Sequence, residues 1–173
     1  MNIVLLGYRG TGKSEVAVIL SKKLQREVYD TDRIIVEEAG MTIPEIVEKW
    51  GWDRFREMEM EVVEKVAAQA VNGVIDCGGG VVLNNNNIQR LKRKGKTVLL
   101  KADIETILKR IREDKNRPPL KEGMSFEEEQ RKVLAEREEK YHAAADFECD
   151  TTIKSPDETV AAIIEYFREQ NWI

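Results

Sequence analysis

Eight residues near the start of the chain dictate their local backbone more tightly than any other stretch. Gly7-Tyr8-Arg9-Gly10-Thr11-Gly12-Lys13-Ser14 satisfies G-x-x-x-x-G-K-[ST] at every fixed position. The apolar run 2–6 precedes it, and 14–24 follows with apolar residues at Val16, Ala17, Leu20 and Leu24, so the motif lies where a buried strand turns into a helix. Glycines let consecutive N–H groups turn inward without Cβ clashes, and the following helix adds its positive end, which makes the loop a nest for an anion. In such a loop Lys13 reaches the β- and γ-phosphates of a nucleotide and the Ser14 hydroxyl ligates Mg²⁺. The competing reading, a glycine-rich turn matching by accident, is opposed by spacing and context together.

Beyond the loop, short apolar runs alternate with longer segments of helical period. Strands are expected at 2–6, 27–29, 74–77 and 97–101, with a fifth at 151–153. Helical patterns occupy 14–24, 32–39, 43–49, 52–70, 87–94, 104–112, 126–144 and 159–170, while 116–123 reads as irregular. Asn84 to Asn87 reads as a loop carrying a helix N-cap. Strands separated by helices require crossovers and a parallel sheet covered on both faces, so the fold class is α/β. A length of 173 residues suits one domain with its own core. Ligands of such sheets bind outside the carboxyl ends of the strands, and the first three strands run into the phosphate loop, Asp30-Thr31-Asp32 and Gly78-Gly79-Gly80. These segments are expected to converge.

Composition narrows the partners. Hydrophobic residues at 42%, charged residues at 35% and 4 prolines exclude disordered and collagenous chains, and no apolar run reaches the ~20 residues of a membrane span. A net charge of −4 offers no general attraction to nucleic acid or an anionic lipid surface. Cys77 and Cys149 are far apart and set in apolar surroundings, which favours two reduced thiols. The single histidine, His142, excludes a histidine-rich zinc site and is expected on a helix surface. With the first strand starting almost at Met1, a cytoplasmic location is expected.

A phosphate loop alone does not separate a small-molecule kinase from a GTPase or a nucleotide-driven machine. No N-K-x-D segment is present to read guanine, and the chain lacks the length of a motor. Asp30 and Asp32 can hold Mg²⁺ through water or orient an acceptor hydroxyl and take its proton, while capping the next helix is the ordinary alternative. Arg56 and Glu59 are three apart and share a helix face, so a carboxylate can hold the arginine as a fork for an anionic substrate; a solvated charged face is the simpler reading. Met58, Met60, Trp50 and Trp52 are assigned to packing. The cation-rich stretch 104–121 surrounds Asn116-Arg117-Pro118-Pro119-Leu120, a segment able to close over phosphates or to be an exposed turn.

These residues together resemble the shikimate kinases, P-loop kinases of the nucleoside-monophosphate-kinase fold. The likeness runs over nearly the whole chain, through residues 7–14, Asp30 with Asp32, Phe55-Arg56 with Glu59, Gly78-Gly79-Gly80, Arg117-Pro118, and Arg137 before Tyr141. It implies a three-layer sandwich around a parallel sheet of about five strands in one domain, 1–173, with a substrate-binding helical insertion at about 32–61 and a lid at about 113–123. It implies transfer of the ATP γ-phosphate to the 3-hydroxyl of shikimate, with Mg²⁺, by a monomer. By resemblance, Gly10, Thr11, Gly12, Lys13, Ser14 and Glu15 bind nucleotide, with Arg110 and Pro156 flanking the adenine and Arg117 on the phosphates. Ser14, and Asp30 through water, serve the metal. Asp32 binds acceptor hydroxyls and is the candidate base, Arg56 and Arg137 grip the carboxylate, and Gly79 contacts the ring. Lys13, Asp32 and Arg117 form the catalytic set.

The chain departs from the family pattern at Pro119, where an aliphatic residue is usual, which implies a stiffer lid. It departs again at Asp76, where a small or apolar residue is usual; Asp76 resembles a Walker B carboxylate and is expected to help order the water around Mg²⁺. A kinase for another polyol acid such as gluconate, and a nucleotide-binding regulatory module without turnover, are the alternatives.

Overall fold

A computed structural model of the chain describes residues 1–112, 119–121 and 123–173. Among these, five parallel strands form one sheet in the order β2-β3-β1-β4-β5. The strands are β1 (Asn2–Leu6), β2 (Val28–Asp30), β3 (Val74–Asp76), β4 (Gly95–Lys101) and β5 (Phe147–Asp150). The helices are α1 (Lys13–Leu24), α2 (Thr31–Ala39), α3 (Ile43–Gln69), α4 (Asn85–Lys92), α5 (Ile104–Ile111), α6 (Phe126–Ala144) and α7 (Pro156–Glu169), with a 3₁₀ turn at Val81–Leu83.

Alternation along the strands divides the core in two. Ile3, Leu5, Val74, Val98 and Leu100 face α1 and α7, packing with Leu20, Ile163 and Phe167. Val4, Leu6, Ile75 and Leu99 face the other way, onto Ile46, Phe55 and Val63 of α3, Leu91 of α4 and Val133 of α6. Phe55 and Phe167 are fully buried, one in each layer, and each contributes on the order of 2–3 kcal/mol through its burial. Helices therefore cover both faces of the parallel sheet, as expected.

Local chemistry fixes where the helices begin. Thr42 with Glu45, Ser125 with Glu128 and Ser155 with Glu158 form reciprocal capping boxes, Asp30 and Asp103 cap α2 and α5, and Asn84 caps α4. The two helical segments expected at 43–49 and 52–70 run on as α3, broken at Gly51, whose φ of 79° and ψ of 170° are non-helical and suit only glycine.

One strand lies elsewhere than expected. The fifth strand is Phe147–Asp150, paired with β4, and not 151–153. β-branched Thr151, Thr152 and Ile153 suggest a strand, but the ladder ends when Thr151 N–H bonds Lys101 O at 2.8 Å. Asp150 Oδ1 then takes the Thr152 N–H at 2.8 Å and turns the chain, leaving Ile153 93% exposed.

Candidate active site

The carboxyl ends of β1, β2 and β3 meet around one cavity of about 480 Å³. The loop after β1 wraps back on itself with Gly10 at φ 78° and Gly12 at φ 90°, conformations open to glycine. Lys13 Nζ crosses the loop and donates to Gly7 O at 2.9 Å and Tyr8 O at 3.0 Å, which keeps its charge over the loop's interior. Gly10, Gly12, Lys13, Ser14 and Glu15 all line the cavity. Thr11 is buried, its hydroxyl donating to Tyr8 O at 2.7 Å, and it borders the second recess described below instead of this cavity.

Strand register brings the acidic residues beside the loop, since Asp30 and Asp76 are Cα partners across β2 and β3. Asp30 accepts the Arg33 N–H at 3.0 Å as the cap of α2, so the ordinary alternative for it is realised, while its side chain still borders the cavity. Asp76 accepts the Ser14 hydroxyl at 2.7 Å. Burial pushes the Asp76 carboxyl up to about 6 against the pull of Lys13 and Ser14, with Asp30 and Asp32 adding to the rise. Oxygen donors of this kind suit Mg²⁺. Among the described residues no group of three or more His, Cys, Asp or Glu could cage a metal by itself.

The opposite wall is built from side chains. Arg56 Nη1 meets Glu59 Oε2 at 2.7 Å, and Glu59 is 1% exposed. Burial drives the Glu59 carboxyl upward; the charge and hydrogen bond of Arg56 draw it down, Asp32 raises it and Arg137 lowers it. The Arg56 guanidinium lies near the rings of Trp52 and Phe55, at 5.3 and 5.2 Å, and against Gly80, where a Cβ would fall 2.0 Å from Nη1. A Cβ at Gly78 would fall 2.5 Å from Asp32 Oδ1. At Gly79 the nearest atoms are 3.6 Å away, ordinary contact, so this glycine alone of the three faces the cavity without crowding. Tyr141 donates its hydroxyl to Gly79 O, and Arg137, 8% exposed, lowers the buried Tyr141 phenol that burial raises.

A second recess adjoins the loop on the other side, lined by Arg110, Thr151 and Pro156 among others. Arg110 holds Gly10 O at 3.1 Å and Thr151 O at 2.8 Å. Arg110 and Pro156 therefore share one wall system beside the phosphate loop.

The structure brings Asp32, Arg56, Gly79 and Arg137 together with the loop, and Arg56, itself half-buried, pairs with a buried Glu59 instead of forming a solvated face. Arg117 and most of the segment 113–123 lie outside the described residues. Trp52 was assigned to packing alone, yet it lines the cavity and donates its indole N–H to Pro119 O at 3.1 Å. Trp50 is 44% exposed with Lys49 above its ring, so packing does not describe it. His142 lies half-exposed near the end of α6, with Nδ1 2.6 Å from Glu148. Both cysteines are buried and unbridged. No helix among the described residues is long and apolar enough to cross a membrane.

A phosphate loop between strand and helix, facing a wall of arginines and carboxylates across one cavity, defines an ATP-dependent P-loop kinase that transfers to a hydroxyl acceptor. A sequence model of the shikimate kinase family matches residues 9–168. The shikimate kinase of Pelotomaculum thermopropionicum is 41% identical over 172 residues, covering 99% of this chain and 98% of that protein. A solved shikimate kinase from Acinetobacter baumannii, in complex with shikimate, superposes with a TM-score of 0.92 at 32% identity, covering 98% of this chain and 93% of that one. The enzyme from Aquifex aeolicus gives a TM-score of 0.85 at 33% identity, covering 99% and 98%. The chain belongs to the shikimate kinase family.

Proposed function

We propose that this chain phosphorylates the 3-hydroxyl of shikimate from ATP, with the residues of the 480 Å³ cavity and of the recess beside it in the roles that follow. The observation that carries the reading is the placement of Lys13 and Ser14 opposite Arg56, Gly79 and Arg137 in a single cavity, with Asp32 among them. Arg56 and Arg137 take the acceptor's carboxylate, Arg56 as a fork already set by Glu59 and Gly80. Asp32 orients the acceptor hydroxyl and receives its proton. Lys13 leaves the carbonyls of Gly7 and Tyr8 for the transferring phosphate, and Arg110 and Pro156 flank the nucleotide base. Arg117 stabilises charge on the phosphates, an assignment that rests on the resemblance alone.

Ser14 directly, and Asp30 and Asp76 through water, would hold Mg²⁺. When bound, the ion neutralises charge on the β- and γ-phosphates. Asp76 supports this reading better than Asp30 does, because Asp76 already engages Ser14 while Asp30 spends one oxygen on the cap of α2. An Mg²⁺ dependence of nucleotide binding left unchanged by Asp76→Ala would remove Asp76 from the set. The chain works as one domain with the insertion at about 32–61 as its acceptor-binding part, and as a cytoplasmic monomer, where ATP and reduced thiols coincide; the lid expected at about 113–123 lies mostly outside the described residues. An ADP-release assay comparing shikimate, gluconate and no acceptor tests the reading. Turnover with shikimate alone is expected; equal turnover with gluconate, or none with either, overturns it.

A further inference from the structure

Tyr8 belongs to the phosphate loop by its backbone and to the acceptor side by its ring. Its carbonyl receives Lys13 Nζ at 3.0 Å and Thr11 Oγ1 at 2.7 Å. Its phenol, in a residue 2% exposed, donates to Gln130 Oε1 at 2.6 Å, and burial raises it to about 12, so the donor keeps its proton throughout the neutral range. The Gln130 amide donates to Glu129 Oε2 at 3.2 Å. The other oxygen of Glu129 accepts two backbone N–H groups, that of Leu120 and that of Lys121, the latter at 2.8 Å. Gln130 is 1% and Glu129 5% exposed. Leu120 lines the cavity, and Tyr8, Gln130 and Glu129 border it at the same wall. A run of hydrogen bonds shielded from water in this way is stiff, because breaking any link leaves buried polar groups unsatisfied. The transfer chemistry described above does not call on it.

We propose that Tyr8, Gln130 and Glu129 are positioning residues, a buried polar strut that ties the resting place of Lys13 to Leu120 in the acceptor wall and couples nucleotide binding to acceptor binding. The proposal rests on the reading of shikimate as the acceptor in this cavity. An arriving phosphate competes for Lys13 Nζ with the carbonyls of Gly7 and Tyr8. The Tyr8 peptide then loses a donor. Because the ring is packed and its hydroxyl bonded, a shift of that peptide passes to Gln130 and Glu129, and from them to the backbone of Leu120 and Lys121. The coupling is reciprocal, so shikimate changes nucleotide affinity by the same factor.

The test uses the full chain. Calorimetry gives the Kd for shikimate with and without saturating MgADP, and NMR gives amide hydrogen exchange at Leu120 and Lys121 with and without MgADP and no shikimate. In the unmodified protein MgADP is expected to change the shikimate Kd by about 5-fold or more and to alter exchange at both amides. In Tyr8→Phe the factor falls towards 1 and the exchange no longer responds to MgADP, although MgADP still binds. The double variant Tyr8→Phe/Gln130→Leu, which removes the phenol together with its acceptor and cuts the link to Glu129 as well, keeps the test open if the single variant unfolds, with the melting temperature as the check. Folded variants that retain the unmodified coupling overturn the strut, as does an unmodified protein with no coupling. If shikimate does not bind the unmodified protein, the functional reading falls, and the MgADP-dependent exchange still decides the strut.

Discussion

The two halves of the cavity are built on different principles. The phosphate half is eight consecutive residues whose recognition groups are backbone N–H bonds, one lysine and one hydroxyl, set by the turn of a strand into α1. The half proposed for the acceptor draws single side chains from distant parts of the chain, Asp32, Arg56, Glu59 and Arg137, with Arg56 paired to a buried Glu59 and glycines that make room for Arg56 and Asp32. The first half keeps its shape through local backbone geometry. The second keeps it only while its charges stay paired, because a buried charge without its partner is costly.

Lys13→Ala breaks the phosphate half. A fall in kcat of about 10³-fold or more is expected, since charge neutralisation is most of what phosphoryl transfer needs, while KM for shikimate moves only by the roughly 5-fold coupling carried through Tyr8. Arg56→Lys breaks the other half: a point charge cannot replace a fork, and KM for shikimate should rise about 10²-fold with KM for ATP unaltered. If neither constant for shikimate moves, the carboxylate assignment is wrong.

Asp76 lies at the seam, and its titration reports the strain there. Its unfolded carboxyl titrates near 3.8 and its folded one near 6, so the native state binds the extra proton between these values. The contribution to stability is therefore intact below pH ~4 and is lost as pH rises through 6. In metal-free protein, Asp76→Asn should be more stable than the parent by about 3 kcal/mol at pH 7.5, with the gap closing towards pH 4, as read from urea midpoints. A gap that widens in acid would contradict the burial argument. The smallest effect is expected from Gly80→Ala, which keeps every charge but displaces the guanidinium that lies 2.0 Å from the added Cβ position. KM for shikimate should rise about 10-fold, the order of one charge-assisted hydrogen bond, and ATP kinetics should not change.

Legibility followed the same division. The loop, its flanking strand and helix, and the convergence of the next two strand ends could be read directly, because each is a local pattern of a few residues. The capping boxes and the break at Gly51 are local too. Arg56 and Glu59 were legible as neighbours, but the burial of Glu59 was not. The signal was present: Glu59 falls on the stripe of Phe55, Val62 and Val66, and a carboxylate on an apolar stripe marks a buried pair. Trp52 gave no such sign, since its partner Pro119 is remote in sequence. The strut through Tyr8, Gln130 and Glu129 joins α6 to a loop over a hundred residues earlier, and no spacing rule reaches that far. The fifth strand was misplaced because β-branched residues read as strand while the side chain of Asp150 ended it.

The seat of Arg56 also bears on inhibitor design. With Gly80 behind the guanidinium, two aromatic rings nearby and Glu59 holding one nitrogen, the arginine has surrendered most of its rotamer freedom before any ligand arrives. On the role proposed for Arg56, a carboxylate ligand meets a receptor already organised for it, whereas a bulky neutral replacement must displace a guanidinium backed by the Gly80 backbone. Potent competitive ligands for this pocket should keep a compact anionic head and gain their remaining affinity elsewhere, towards the indole of Trp52.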